Sequence, residues 1–138
     1  MSQENVEIVR RAFLSGRDLE GMLELVDPDV ELHGTVGGLE EGHVSRGADQ
    51  IRQRFEAEDN EVWDEHRIEP VRFIDAGDRV VVLHREYQRS KSGAELVIDT
   101  ASILDLRDGR IVRMQGYMDR AAALRAAGLS EQEARSDS

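Results

Sequence analysis

Arg85 is the side chain in this sequence whose chemistry is most informative. It lies in an extended run, Arg79–Arg89, and a period of two places it with Leu83 and Tyr87 on one face. If that face packs under helices, the guanidinium needs a partner, because an isolated buried charge is costly. It could hold a carboxylate or enolate oxygen of a ligand, or stabilise negative charge that develops in a reaction. The alternatives are an ion pair with a helix glutamate such as Glu24, or a guanidinium that reaches a pocket mouth.

The chain has four histidines, which are candidates for general acids or bases near neutral pH. His33 alternates with Leu32 and Gly34 along a short extended run. It is therefore expected to point away from the face of these two residues, unless its ring turns inward. An inward His33 would be a candidate catalytic base.

The other three histidines are expected to have structural roles. His43 lies in a glycine-rich loop and is expected to be exposed, whereas His66 starts a strand and is expected at the core or its rim. His84 shares the period-two face of Glu86 and is expected to share the outer face of Asp99. A hydrogen bond in a subunit interface is the role that this position favours for His84.

The common metal and cofactor motifs are absent from the sequence. There is no His-x-His, no His-Glu-x-x-His and no glycine-rich phosphate motif, and the chain contains no cysteine. A Ser/His/Asp set also cannot be assigned from spacing alone. We therefore expect neither a metal nor a cofactor.

The charge of the chain limits its partners. In 138 residues, 18 Lys and Arg stand against 29 Asp and Glu, which gives a formal net charge of −11. This balance disfavours nucleic acids and anionic membrane surfaces as partners. No run approaches the roughly 20 apolar residues of a membrane span, and the first residues lack the apolar core of a signal peptide. A soluble cytoplasmic protein is expected.

Hydrophobic spacing predicts helices in the first half of the chain. One helix begins after Ser2, and a second begins near Asp18 and is expected to end at Asp27-Pro28-Asp29, because the residue before proline disfavours helix. A strand over Val30–Val36, a loop over 37–47 and a short helix over Ala48–Glu58 follow.

The second half predicts a meander of strands closed by a short helix. The extended runs are Trp63–Ile74, Arg79–Arg89, Glu95–Leu106 and Arg110–Asp119. The helix Ala121–Ala127 stops at Gly128. Helices on one face of a curved antiparallel sheet make an α+β domain. We expect a single domain over residues 1–130 and a polar tail over 131–138.

Both faces of the predicted sheet carry apolar residues. One face is expected to form a pocket for a small hydrophobic molecule, since its lining is mostly apolar with a few polar positions. Its members are Leu83, Arg85, Tyr87, Ile98, Thr100, Ser102, Met114, Gly116 and Met118, with Leu32 and Trp63 as neighbours. The two methionines could adapt to a ligand or fill the core.

The opposite face needs a partner, because it also contains apolar residues. Its members are Val80, Val82, Val97, Ala101 and Ile103. Contiguous apolar patches commonly mark contacts, so a two-fold homodimer is predicted. The alternative is that these residues are good strand formers on a solvated face.

Short segments in a fixed order carry a family resemblance from about Val6 to Leu129. They are Val6–Phe13, Asp18–Leu23, Asp27–Glu31, Arg46-Gly47, Phe73–Leu83, Leu106–Val112 and Tyr117–Leu124. The chain resembles SnoaL-like proteins of the nuclear transport factor two superfamily, which are relatives of ketosteroid isomerase. The resemblance implies a cone-shaped α+β fold with one pocket, and often a homodimer. Family activities include steroid isomerisation, polyketide aldol cyclisation, epoxide hydrolysis and dehydration, while some members only bind ligands or assemble.

The residues of ketosteroid isomerase are not matched. The position of its aspartate base corresponds to Gly34, its oxyanion-hole acid falls near Ser102, and the first helix has no tyrosine. The resemblance therefore disfavours steroid isomerisation. His33 lies close to the position where relatives keep their base.

The resemblance to SnoaL cyclases makes Asp119 the best candidate for an acid–base group. Alternation puts Asp119 on the face opposite Met114, although a bulge at the strand end could bring it to the cone mouth. Epoxide hydrolases of the family use an Asp-Arg-Asp arrangement. Asp99, Arg85 and Asp119 have the right types, but alternation predicts that Asp99 and Arg85 lie on opposite faces.

Two functions remain open from the sequence. One is an isomerase, cyclase or lyase type of enzyme that moves a proton on a small hydrophobic carbonyl compound, with Arg85 holding an anion and Asp119 or His33 as the base. The other is a ligand-binding or assembly domain without turnover.

Overall fold

The computed structural model describes residues 2–14, 19–61 and 63–130, without the side chains of residues 2, 14, 57–61, 63 and 64. The predicted tail over 131–138 lies outside the described residues. The described residues form, in order, α1 (Ser2–Leu14), α2 (Leu19–Leu23), β1 (Val26–Val36), β2 (Val44–Arg46), α3 (Gly47–Glu61), β3 (Trp63–Ala76), β4 (Arg79–Ser90), β5 (Glu95–Arg107), β6 (Arg110–Tyr117) and α4 (Arg120–Ala126).

The strands form one curved, unclosed sheet in the order β2-β1-β6-β5-β4-β3. Neighbours pair antiparallel, with one exception: β1 and β6 run parallel, with Leu32 opposite Met114. These two strands are far apart in the chain, so no hairpin imposes antiparallel pairing on them. The predicted α+β class is confirmed, and the parallel pair is its departure from the antiparallel prediction.

The first strand is longer than predicted. β1 begins at Val26 and contains Asp27-Pro28-Asp29, whereas α2 already ends at Leu23. The pairing with β6 is irregular between Val26 and Glu31, as expected for a stretch with a proline that cannot donate to the ladder. β2 was predicted as part of the loop over 37–47.

α1, α2 and α3 cover one side of the sheet, which we call the interior face. Its buried cluster contains Val9, Ala12, Val26, Val30, Ile51, Val80, Val82, Leu104, Leu106, Ile111 and Met114. Phe13 of α1 and Phe73 of β3 pack against this cluster with their rings edge to face, 6.1 Å apart. This cluster has more buried members than the one on the other side of the sheet, and burial of apolar surface is the dominant favourable contribution to folding.

α4 covers the other side, which we call the outer face. Ala123 and Leu124 pack there against Ile74, Val81, Ala101 and Ile103. Gly128 follows the helix with a φ of 78°, a conformation that suits glycine. The sequence argument for a dimer is thereby weakened, because Ala101 and Ile103 find their cover within the chain.

Two more residues of that dimer argument were placed on the wrong side of the sheet. Val80 and Val82 are fully buried on the interior face, where α1 packs. Of the five residues, Val97 alone stays well exposed, at 57%. Dimerisation stays a prediction.

Gly34 of β1 lies in a space that admits no side chain. A Cβ there would be 1.7 Å from the carbonyl oxygen of Glu40, because the loop over 37–43 folds back on the strand. The Gly34 backbone is fixed by two hydrogen bonds: its N–H donates to the His43 oxygen, and Gln115 Nε2 donates to its oxygen.

Replacing Gly34 with alanine is expected to lower the free energy of unfolding by about 1–3 kcal/mol, because the loop backbone must move away. Urea denaturation measures this loss. Gly38→Ala is the matched control, since the nearest atom to its Cβ would be the Thr35 oxygen at 3.3 Å, and it should stay within about 1 kcal/mol of the parent. A parent-like Gly34→Ala would contradict the packing described for this loop.

Among the described residues, no helix is long and apolar enough to cross a bilayer. In the same part of the chain, no three His, Asp or Glu side chains gather where they could hold a metal ion.

Candidate functional site

The two faces of β4 are exchanged relative to the sequence prediction: its even-numbered residues lie on the interior face and its odd-numbered residues lie on the outer face. Val82 pairs with Ser102 and His84 pairs with Thr100, so His84 lies on the interior face. Arg85 pairs with Asp99 on the outer face. The prediction that Arg85 looks into the pocket and His84 looks out is wrong.

The length of one turn explains the error. Arg89 pairs with Glu95, which leaves five residues, Ser90–Ala94, between the paired positions. An odd number of intervening residues makes odd-numbered residues face odd-numbered ones across the hairpin. The sequence prediction placed Leu83 and Arg85 on the same face as Ile98 and Thr100, which would require an even number of residues in the turn. The pairing of opposite charges at Arg85 and Asp99 is the sequence signal that favours the observed register.

A chain of polar side chains crosses the interior face around His84. Nε2 of His84 lies 2.8 Å from Oγ of Ser102, and Nδ1 lies 2.7 Å from Oγ1 of Thr100. The Thr100 hydroxyl in turn interacts with the carboxylate of Glu86. Nε2 of His66 lies 3.4 Å from Oε1 of Glu86 at the far end.

Apolar packing surrounds the imidazole of His84, which is 3% exposed. Phe13 of α1 stacks on it with ring centroids 6.0 Å apart. Burial lowers the pKa of His84 to about 4, with a further lowering by the charge of Arg120 and an opposing contribution from Glu86. His84 is therefore a neutral imidazole at neutral pH.

Glu86 is a carboxylate in the same environment. Burial alone would raise its pKa, but hydrogen bonding from His66, the nearby imidazoles and the Thr100 hydroxyl outweigh burial, and its pKa lies below the ordinary value.

The tautomer of His84 sets the direction of both of its hydrogen bonds. With the single imidazole proton on Nδ1, the Thr100 oxygen accepts from His84. Nε2 then carries a lone pair, and the Ser102 hydroxyl donates to it. The result is a hydroxyl held against an oriented, neutral base.

Several predicted pocket residues do lie on the interior face. Thr100 and Ser102 belong to the polar chain, while Leu32 and Met114 pack with the interior cluster. Gly116 lies opposite Ser102, and the position of its missing Cβ is 2.7 Å from the Thr35 hydroxyl oxygen. Met118 lies just after β6, beside Gly37. A role of these residues in ligand binding stays a prediction.

Leu83 and Tyr87 were placed on the wrong face, because they share the orientation of Arg85. Leu83 packs with the outer cluster beside α4. The ring of Tyr87 lies under the Arg67 guanidinium, 4.3 Å from its carbon to the ring centroid. Trp63 pairs with Ser90 at the start of β3, and its side chain lies outside the described part of the structure.

Arg85 has a structural partner. Its Nε lies 2.9 Å from Oδ1 of Asp99, and both side chains are about half exposed on the outer face. The sequence argument that separated these two residues is wrong, but their pairing does not create the Asp-Arg-Asp arrangement of an interior site. Arg120 approaches the same carboxylate at 3.6 Å and donates to the backbone oxygens of His84 and Thr100.

The two candidate bases from the sequence also lie away from the interior. His33 pairs with Gln115 in the register, and its Nε2 is 2.8 Å from Oε1 of Glu31 on the outer face. The exposed Asp119 caps α4, where its carboxylate accepts from the Ala121 N–H at 3.1 Å. Neither residue is brought to the polar chain.

A pocket of about 190 Å³ opens on the outer face beside α4. Two of its charged lining residues form an ion pair with each other, since Arg79 Nε lies 3.3 Å from Oδ1 of Asp105. The interior face is therefore where oriented acid–base groups occur together.

Comparison with known proteins agrees with this fold. The family model described as a SnoaL-like domain matches residues 9–114. TerC, whose crystal structure was determined with polyporic acid, is 29% identical in sequence to this chain. The two structures match with a TM-score of 0.74 over 91% of this chain and 98% of that chain. An NTF2-like protein of unknown function from Burkholderia pseudomallei is 27% identical, with a TM-score of 0.72 over 88% and 95%.

A putative SnoaL-like polyketide cyclase from Jannaschia sp. CCS1 shares the fold at 21% identity, with a TM-score of 0.69 over 91% of this chain and 92% of that chain. None of the curated proteins matches this sequence closely enough to count as a relative. The family match spans most of the chain, and the sheet with its interior polar chain lies within the matched fold. The chain belongs to the SnoaL-like domain family.

Proposed function

We propose that this chain binds a small, largely apolar carbonyl compound against the interior face and catalyses a proton transfer on it. The observation that carries the proposal is the 2.8 Å hydrogen bond between Ser102 and Nε2 of His84, backed by Thr100 and Glu86. A base that is oriented by a second polar group is the common arrangement for general acid–base catalysis.

His84 is the general base in this proposal. Ser102 keeps part of its surface accessible, whereas His84 is closed behind it. The ligand therefore reaches the base through Ser102. Oγ takes a proton from the carbon next to the carbonyl while its own proton passes to Nε2, which leaves an enolate and an imidazolium. The re-formed Ser102 hydroxyl turns freely and donates a hydrogen bond to the enolate oxygen.

Glu86 supports the charged intermediate. When His84 accepts a proton, the imidazolium has the Thr100 hydroxyl at Nδ1 and the Glu86 carboxylate behind it. The charge of Glu86 favours protonation of His84, against the effect of burial. If the proton is then returned to a different carbon, the reaction is an isomerisation. In a cyclisation the enolate carbon instead forms a bond to a second carbonyl carbon of the same compound, and His84 gives the proton to the oxygen of that carbonyl.

The surroundings favour an apolar ligand. Phe13, Phe73, Leu32 and Met114 border the polar chain, and an apolar lining with few polar groups is typical of small-molecule sites. The crystal structure of TerC with polyporic acid, at 29% identity, supports a small-molecule occupant for this fold. The predicted homodimer and cytoplasmic location stay predictions.

Hydrogen exchange tests the proposal without knowledge of the natural substrate. The probe is 2-tetralone, a small apolar ketone with acidic C–H groups, incubated in deuterium oxide with a catalytic amount of protein. Proton NMR is expected to show faster loss of the signals next to the carbonyl than in buffer. Saturable binding without faster exchange would instead establish the non-catalytic ligand-binding alternative. Neither binding nor exchange, with polyporic acid tested as a second ligand, would contradict both.

A further inference from the structure

The geometry around Ser102 is also that of an activated nucleophile. A nucleophilic serine needs a base within hydrogen-bond reach and a third group that orients the base. Here Oγ of Ser102 is 2.8 Å from Nε2 of His84, and Nδ1 is 2.7 Å from Thr100. The charge of the Glu86 carboxylate favours protonation of His84, so Ser102, His84 and Glu86 together resemble a triad.

Small and polar groups surround Ser102 on the side of β6. Gly116 is its direct partner in β6 and has no side chain, and Ser102 itself is half-buried rather than closed. The Thr35 hydroxyl lies over Gly116, where a Cβ would come within 2.7 Å of its oxygen. A group attached to Ser102 therefore meets small and polar neighbours on this side.

We propose that Ser102 is a nucleophile that accepts an acyl group from an activated ester, or a phosphoryl group from a phosphorofluoridate, bound on the interior face. This activity goes beyond the proton transfer proposed above. It uses the same pair of residues, but it does not require that a ketone is a substrate.

The reaction balances with the groups that are present and one water molecule. Oγ of Ser102 forms a bond to the acyl carbon while its proton passes to Nε2 of His84. The bond from the acyl carbon to the leaving oxygen breaks, and His84 gives the proton to that oxygen, which departs as an alcohol or phenol. Water then hydrolyses the acyl-serine by the same route, releases a carboxylic acid and restores Ser102.

The chain contains a matched control for this chemistry. Ser45 is buried beside His43, with Oγ 3.4 Å from Nε2. That distance is longer than the Ser102–His84 distance of 2.8 Å, and His43 is exposed. Comparison of Ser45 with Ser102 therefore separates mere proximity to a histidine from activation by a buried, closely hydrogen-bonded one.

Diisopropyl fluorophosphate is the probe, because it forms a stable bond to an activated serine and releases fluoride. Intact-mass spectrometry of the full chain is expected to show one added group, and peptide mapping is expected to place it on Ser102. Ser102→Ala should abolish the label, Ser45→Ala should keep it, and His84→Gln should slow labelling at least about 100-fold.

Peptide mapping of the unaltered protein shows whether Ser102 carries the label, even if a variant fails to fold. A folded protein that stays unlabelled, a label on another residue, or an equal rate in a folded His84→Gln variant would overturn the inference. Exchange of 2-tetralone without labelling would leave the proton-transfer function standing alone. Labelling without exchange would support the nucleophile and contradict the proton transfer.

Discussion

Replacing His84 with glutamine is expected to lower the rate of hydrogen exchange into 2-tetralone by about 10²–10⁴-fold, the range typical for loss of a general base. Glutamine is similar in size and polar, so it can keep the Ser102 and Thr100 hydroxyls partnered. It has no lone pair of comparable basicity at the position of Nε2, so it cannot take the proton. The measurement is the initial exchange rate by proton NMR at equal protein concentration.

His43→Gln is the matched control for this variant. His43 is exposed in the loop over 37–43, away from the chain that ends at Ser102, and its replacement should leave the exchange rate unchanged. Circular dichroism and urea denaturation establish that both variants are folded. A folded His84→Gln protein that exchanges 2-tetralone at the parent rate would remove His84 from the reaction.

Acidification is expected to destabilise the protein through the same residue by about 3 kcal/mol between pH 7 and pH 4. Burial lowers the pKa of His84 to about 4 in the folded protein, whereas the ordinary value is 6.5. Between these two values the unfolded chain binds the proton and the folded chain does not. The stabilisation is therefore complete above pH 6.5 and is lost as the pH falls toward 4.

Urea denaturation at pH 7, 5.5 and 4.5 measures this dependence. Glu86 also has a lowered pKa, but its stabilising contribution is lost below its ordinary value of 4.5, so the range above pH 4.5 isolates the histidine effect. His84→Gln should remove most of the loss, and His43→Gln should keep it. An equal loss in the parent and in His84→Gln would show that His84 does not titrate as described.

Local patterns were sufficient to predict the order of the elements apart from β2, which was predicted as loop. Spacing of apolar residues gave most of the helices and strands, and the Asp-Gly pair at Asp108-Gly109 marked a true hairpin between β5 and β6. The misplaced boundary, at Pro28, is in a strand whose partner is more than 80 positions away in the chain, as in the pair Glu31 and Arg113. Pairing with β6 places Val26–Asp29 in β1, although local sequence signals predicted that these residues end a helix.

The site was harder to predict than the fold, because it depends on the parity of one turn. Both faces of β4 carry valine or leucine beside a charged or polar residue, so hydrophobicity does not identify the interior face. The five residues between Arg89 and Glu95 decide it, and they turn His84 and Glu86 inward. Thr100 and Ser102 were placed correctly, since β5 and β6 were grouped in the observed register.

Both proposed reactions depend on a neutral His84 ring with a free lone pair on Nε2, and the protonation state of the ring can be measured directly. Nitrogen-15 NMR of the imidazole groups, with His84→Gln used to assign the signals, reports which ring nitrogen carries the proton and where the ring titrates. We expect a neutral ring at pH 7 with the proton on Nδ1, no proton on Nε2, and a titration midpoint at about 4. A proton on Nε2, or a midpoint near the ordinary 6.5, would contradict the oriented base on which the proposed reactions depend.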